Sequence, residues 1–290
     1  MMQADTALGR WMTFGVAFLV AACGGGGGSS SDGVTAGIDR GGIVTATGSI
    51  TGFGSVHVNG VHYVTTGATI TLDDNPGSES DLRVGQVVRI EGRLDQDGLN
   101  GTATRVIFDD EVEGPVQSID LASSRLVVLG RTVQISTQTS FDDSISPRSL
   151  EGVAVGDRME VSGQVATTGV IEATRIERKT AQSSVEVKGT IGSLDTSARS
   201  FVLDQLTVSY ASAQLNGFAS GQPANGDRVE AFGSVDGNGV LVATRVERET
   251  GGAAGNADEQ ADYEGLVTSF VSATDFAVAG QRVTTTATTA

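Results

Sequence analysis

Aromatic residues make up only 5% of this 290-residue chain, so any core must be filled by Val, Ile, Leu and Ala. Prolines number four against 40 glycines, which fits many tight turns and argues against a disordered proline-rich chain. Basic residues are scarce. Nineteen Lys and Arg face 35 Asp and Glu, for a formal net charge of −16. A domain that tracks phosphates needs a basic surface, so nucleic acid is disfavoured as a partner. An anionic membrane surface would repel such a protein, so membrane contact must come from something other than charge. Two histidines and one cysteine leave most hydrolytic and redox mechanisms without residues. Cys23, alone, forms neither an internal disulfide nor a cysteine-rich metal site. No nucleophile stands with a base and an orienting acid. The run Gly24 to Gly28 lacks the Lys-Ser/Thr of a phosphate loop and follows no strand. The expectation is a protein that is not an enzyme and needs no cofactor.

What the chain does have is a repeat. Val155-Gly156-Asp157-Arg158-Met159-Glu160-Val161-Ser162-Gly163, followed by Ala173-Thr174-Arg175-Ile176-Glu177, occurs three times. The later copy spans Asn225 to Gly233 and Ala243 to Glu247; the earlier spans Val84 to Gly92 and Ala103 to Ile107. The opening glycine recurs after 71 and then 70 residues, at Gly85, Gly156 and Gly226. Matching residues at a fixed period mean repeated structural units.

Residues 1–22 read as an export signal. Arg10 supplies positive charge, and Trp11 to Ala22 is a 12-residue apolar run, too short to span a bilayer. It ends Val20-Ala21-Ala22-Cys23, which resembles the bacterial lipobox, in which cleavage precedes a cysteine that carries a diacylglyceryl group. That resemblance implies lipidation at Cys23 and a membrane partner through the anchor. Gly rather than Asp at position 24 is similar to lipoproteins sorted to the outer membrane. Residues 23–41 open with a Gly/Ser run and form a flexible tether.

Three units follow, at residues 42–109, 110–180 and 181–250. In the first, Phe53 to Val58 runs into Asn59-Gly60 and then Val61 to Val64, the strongest short-range hairpin signal. Ile70 to Leu72 is a short strand, and residues 73–81 read as a loop. Val87 to Glu91 and Thr102 to Ile107 form a second hairpin. Units two and three repeat the order, with first hairpins around Leu129-Gly130-Arg131 and Asp204-Gln205. No useful 3.6-residue amphipathic pattern appears. The fold class expected is all-β: three small antiparallel barrels, folding separately on one topology, since a small sheet with one apolar face buries it best by closing. The second glycine of each copy (Gly92, Gly163, Gly233) suits a bulge or corner. Residues 251–262 read as a linker. Residues 263–290 begin a fourth copy, with Tyr263 to Phe270 matching Val112 to Ile119 and a hairpin over Phe276 to Val283. Such a piece leaves Val267, Phe270, Phe276 and Val278 short of cover.

The units "EGPVQSID…VGDRMEVSGQV…IEATRIE" and "KGTIGSLD…NGDRVEAFGSV…LVATRVE" resemble the bacterial family called domain of unknown function 5666. That family occurs in tandem in exported proteins and lipoproteins, and the resemblance implies an OB-like small barrel. It transfers no catalytic residue. Gln86 departs from the pattern, where the other copies carry Asp157 and Asp227.

Three constellations remain. Arg105, Arg175 and Arg245 recur beside acids and read as cross-strand ion pairs with Glu91, Glu160 and Glu230 on a solvated face. Such pairs contribute about 0.2–1 kcal/mol. Asp73, Asp74, Asp81, Asp95, Asp97, Asp142, Asp143 and Asp236 lack EF-hand spacing and read as solvated turns. His57 and His62 flank Asn59-Gly60. If Val58 pairs with Val61 they face each other as candidate metal ligands, although two ligands alone make a weak site and an exposed polar pair is the plainer reading. The expectation is therefore a lipid-anchored protein of the bacterial cell envelope, at the outer membrane, acting as a binding or structural module. Its partner would be a protein or glycan; the alternative is an OB-type oligosaccharide binder.

Overall fold

A computed structural model describes residues 42–180, 184–218, 220–249, 260–263, 267–278 and 281–285. Cys23, the signal segment and the tether lie outside the described residues. The first unit contains β1 (Gly42–Phe53), β2 (Val56–Val58), β3 (Val61–Val64), β4 (Thr69–Leu72), β5 (Asn75–Gly77), β6 (Val87–Leu94) and β7 (Asn100–Phe108). Asn59 and Gly60, at φ of 53° and 76°, make the tight turn between β2 and β3. The stretch read as a loop holds β5 and a one-turn 3₁₀ segment, Glu79–Asp81. No α-helix occurs among the described residues.

Strands β1, β2, β3, β7 and β6 pair in that order, and β6 returns to β1, so the sheet closes on itself. The β3–β7 contact is parallel and the others are antiparallel. This is a five-stranded OB-like barrel. Closure follows from the pattern: Val88, Ile90 and Leu94 on β6 alternate inward with polar residues outward. They pack with Val44, Ile50, Val58, Tyr63 and Phe108.

The second unit repeats this with β8 (Val112–Asp120), β9 (Arg125–Val128), β10 (Arg131–Gln134), β11 (Ser140–Phe141), β12 (Arg158–Val165) and β13 (Ile171–Arg178). The third does so with β14 (Val185–Asp195), β15 (Ser200–Leu203), β16 (Leu206–Ser209), β17 (Gln214–Asn216), β18 (Arg228–Val235) and β19 (Leu241–Arg248). Each closes through a parallel pair, β10–β13 and β16–β19.

The expectation of three separate barrels is corrected in one respect. Strands β8 and β14 pair antiparallel, Val112 opposite Val187, and join units two and three into one 12-stranded sheet. The buried side chains of the two units form one cluster. Val112 and Val187 occupy the same place in their repeats, so the two barrels meet about a local two-fold. The physical reason is an edge. The first half of each barrel's first strand pairs on one side only, and two such edges satisfy each other.

Beyond the barrels, β20 (Gln260–Tyr263) begins inside the stretch read as linker and adds parallel to β1 at Val44 to Thr47. The strands β21 (Val267–Ser272), β22 (Asp275–Val278) and β23 (Gln281–Thr284) form a three-stranded meander. Val267 and Phe270 on it are exposed, as the partial copy implied.

Candidate functional site

The recurrent arginines are explained by the bulge beside each second glycine. Pairing shifts between Glu91 and Gly92, between Ser162 and Gly163, and between Phe232 and Gly233. The residue before the glycine is what faces the arginine. In unit one that is Glu91, and Arg105 pairs with it at 3.1 Å as expected. In unit three Phe232 stands there, and the Arg245 guanidinium lies 3.7 Å from its ring centroid. Glu160 and Glu230 sit two residues earlier and are not the arginine partners; they are buried and pair with Lys179 and Lys188. Arg175 instead meets Asp142 at 3.2 Å and Glu177 at 3.0 Å.

His57 does stand opposite His62, ring centroids 4.7 Å apart. The metal reading is weakened by what holds His62. Its Nε2 lies 2.7 Å from the Gly54 carbonyl oxygen and so donates there, and Nδ1 faces Asn100 Oδ1 at 3.4 Å. Both His62 nitrogens thus face neighbours other than His57. If the pair is a polar surface feature, calorimetric titration of zinc or copper should give the same weak heats for wild type and His62→Ala. A strong heat lost in the variant would restore the metal reading.

The acidic turns divide. Asp97 accepts from the backbone of Leu99 and Asn100, and Asp236 from Asn238 and Val240, so both cap their own turns. Asp74 reaches across to Arg245 of unit three at 3.1 Å. Asp73 departs from expectation. Asp73 and Asp74 adopt left-handed φ of 46° and 62°, and this turn directs the Asp73 carboxylate inward, where Oδ1 accepts the Asp110 N–H at 3.2 Å.

That contact opens onto the junction of all three barrels. Asp110 links units one and two and is 1% exposed. Glu113 comes from β8, Glu160 from β12 and Glu186 from β14. Carboxylate oxygens of Asp73, Asp110 and Glu186 lie within 4.8 Å of one another, as do those of Asp110, Glu113 and Glu160. Burial pushes Asp73 up to about 6 and Glu186 up to about 7. Burial, with the charges of Glu186 and Glu160, holds Asp110 well above the carboxylate range. Arg158 Nε serves Glu113 at 2.5 Å, Lys179 serves Glu160, and Lys188 Nζ serves Glu230 at 3.3 Å. Sequence reasoning missed this cluster, because Asp73 and Glu186 come from the units on either side of the one that holds Asp110, Glu113 and Glu160.

The face formed by the second and third strands and the neighbouring loops, where OB-folds in general bind ligands, differs in fate between units. In units two and three these hairpins pack on each other. Gly130 abuts Leu206, and the fully buried Arg131 bonds Asp204. In unit one Val64 of the hairpin and Leu99 of the adjoining loop are exposed, 38% and 64%.

The class defined by this architecture is a tandem array of closed OB-like barrels. The chain belongs to the family described as Domain of unknown function (DUF5666), whose sequence model matches residues 41–107, 113–177 and 188–247. No curated protein matches it.

Proposed function

We propose that this is an exported, lipid-anchored protein of the bacterial cell envelope, held at the outer membrane through Cys23, whose barrels act as a non-catalytic binding or structural module. The observation that carries the module reading is the unequal fate of the three binding faces. Two are spent on joining barrels to each other, and one, on β2 and β3, stays open. An array that joins two of its barrels through these faces and keeps the third face free suits a scaffold with a single docking surface. The anchor reading rests on Val20-Ala21-Ala22-Cys23 and the Gly/Ser run behind it. Two acyl chains give stable attachment where one is marginal. Replacing Cys23 with Ser should move the protein from the membrane fraction to the soluble fraction of lysed cells. Equal membrane association of the variant would refute the anchor.

A second reading is favoured by the open face itself. His57, His62 and Asn100 lie side by side across β2, β3 and β7. Rings beside an amide suit a neutral oligosaccharide better than a polyanion on a chain of net charge −16. A glycan array probed with wild type and His57→Ala would distinguish the two. Glycan binding lost in the variant favours the oligosaccharide reading; no glycan bound leaves a protein partner.

A further inference from the structure

We propose that Asp73, Asp110 and Glu186 bind a calcium ion where the three barrels meet. A cluster of acids is common on protein surfaces, but this one is centred on a buried carboxylate, with Asp73 and Glu186 half-buried beside it. Asp110 is 1% exposed, and its carboxylate oxygens accept from no N–H or hydroxyl donor among the described residues; the hydrogen bond open to them is with the neighbouring Glu186 carboxyl. Glu186 Oε1 is buried with no N–H or hydroxyl donor either. A buried carboxylate without a donor costs several kcal/mol unless it is neutralised or ligated.

The local two-fold between units two and three shows why the charge is left over. Glu111 and Glu186 occupy equivalent places, as do Arg158 and Arg228. Arg228 crosses to Glu111 with contacts of 2.9 and 3.0 Å. The symmetric contact would take Arg158 to Glu186, but Arg158 is engaged by Glu113 and by the Ser184 carbonyl. Among the described residues Glu186, Asp73 and Asp110 form no ion pair with a basic side chain. Lys188 lies within electrostatic reach of all three, but its ammonium is bonded to Glu230. Three carboxylates therefore face each other with no cation bonded to any of them.

The geometry fits a hard cation. Calcium takes oxygen ligands at about 2.3–2.6 Å, so oxygens on opposite sides of one ion stand up to about 5 Å apart. The three carboxylates offer oxygens within 4.8 Å of one another. They also come from three different barrels or the links between them. The ion would tie β4's turn, the link before β8, and β14 into one body, beyond what the anchor or the open face requires.

The test uses the full-length chain, purified in detergent and stripped with EGTA, then dialysed against calcium chloride at pH 7.5. Bound calcium is counted by atomic spectroscopy and unfolding followed by heat. Wild type is expected to retain one calcium ion per chain. Its unfolding midpoint should rise by roughly 3–6 °C at tenfold excess over the dissociation constant. Asp110→Asn and, separately, Glu186→Gln should lose both responses, while Asp95→Asn, in an exposed turn, should keep them. Wild type that retains no calcium overturns the proposal without recourse to any variant. Calcium retained undiminished by a folded Asp110→Asn or Glu186→Gln overturns it as well.

Discussion

Replacing Gly163 with Val should destabilise the fused second and third barrels by about 3 kcal/mol, at the upper end of overpacking costs. The reason is close approach, not backbone hand. Positive φ belongs to the opening glycines Gly85, Gly156 and Gly226, at 91°, 92° and 91°. The second glycines sit at the bulge, where the next strand folds over them. A Cβ on Gly163 would stand 2.5 Å from the Glu172 carbonyl oxygen and 2.9 Å from Ile171 Cγ2. At Gly92 and Gly233 the equivalent carbonyls would be 2.2 Å and 2.1 Å away. Backbone cannot yield as a flexible side chain does, so the bulge and the ladder beyond it must shift. Gly237 is the control, exposed and with nothing within 4 Å of an added Cβ. Gly237→Val should cost under about 0.5 kcal/mol. Urea midpoints of the two variants test the contrast, and equal midpoints would reject it.

That contrast marks how far the sequence could be read. Paired glycines seven apart, in three copies, announced a bulge, and the bulge is there in each barrel. Alternation and Asn59-Gly60 located the turn of the β2–β3 hairpin and its pairing, including His57 opposite His62, but not the earlier turn at Gly54-Ser55 that leaves Phe53 on β1. The local signals were sufficient because turn chemistry and strand period act over a few residues. What failed needed contacts distant in sequence. Glu160 and Glu230 look like solvated strand acids, since nothing nearby in sequence says that they will be buried against Lys179 and Lys188. Asp73 looks like a turn residue and is one, yet its turn faces inward onto Asp110. The fusion of units two and three was written only as Val112 and Val187, two ordinary strand positions whose edge pairing depends on three-dimensional closure. One clue lay open. The Asp-Arg pairs at 157–158 and 227–228 are identical, while the residues they could serve, Glu113 and Lys188, differ in sign. Repeats that break their own charge pattern at one position point to where the copies meet.

Removing Asp204 should loosen that meeting more than any surface change. Arg131 stands at the start of β10 with its side chain 2% exposed, and Asp204, in the β15–β16 turn of the next barrel, is its carboxylate partner. The other acceptor is the Gly169 carbonyl at 3.3 Å, and Nε has no partner among the described residues. Guanidinium does not give up its proton to escape burial, so Asp204→Leu would leave a fixed charge in the interface. Breaking a buried pair in this way costs about 3–5 kcal/mol. The cost should appear as a lowered urea midpoint and as a separation of one unfolding transition into two, because the same contact couples the barrels. Arg131→Met in the same chain removes the stranded charge and fills its channel with a flexible apolar side chain. The double variant should therefore return to within about 1 kcal/mol of wild type, since apolar replacement of both partners is often neutral. The single Asp204 variant is then worse than the double, an order that additive contact losses cannot produce. If Asp204→Leu alone is harmless, solvent at the open side of the turn already serves Arg131, and the pair does not join the barrels. If the double is as unstable as the two single losses combined, the interface depends on the ion pair itself and not on relieving a buried charge.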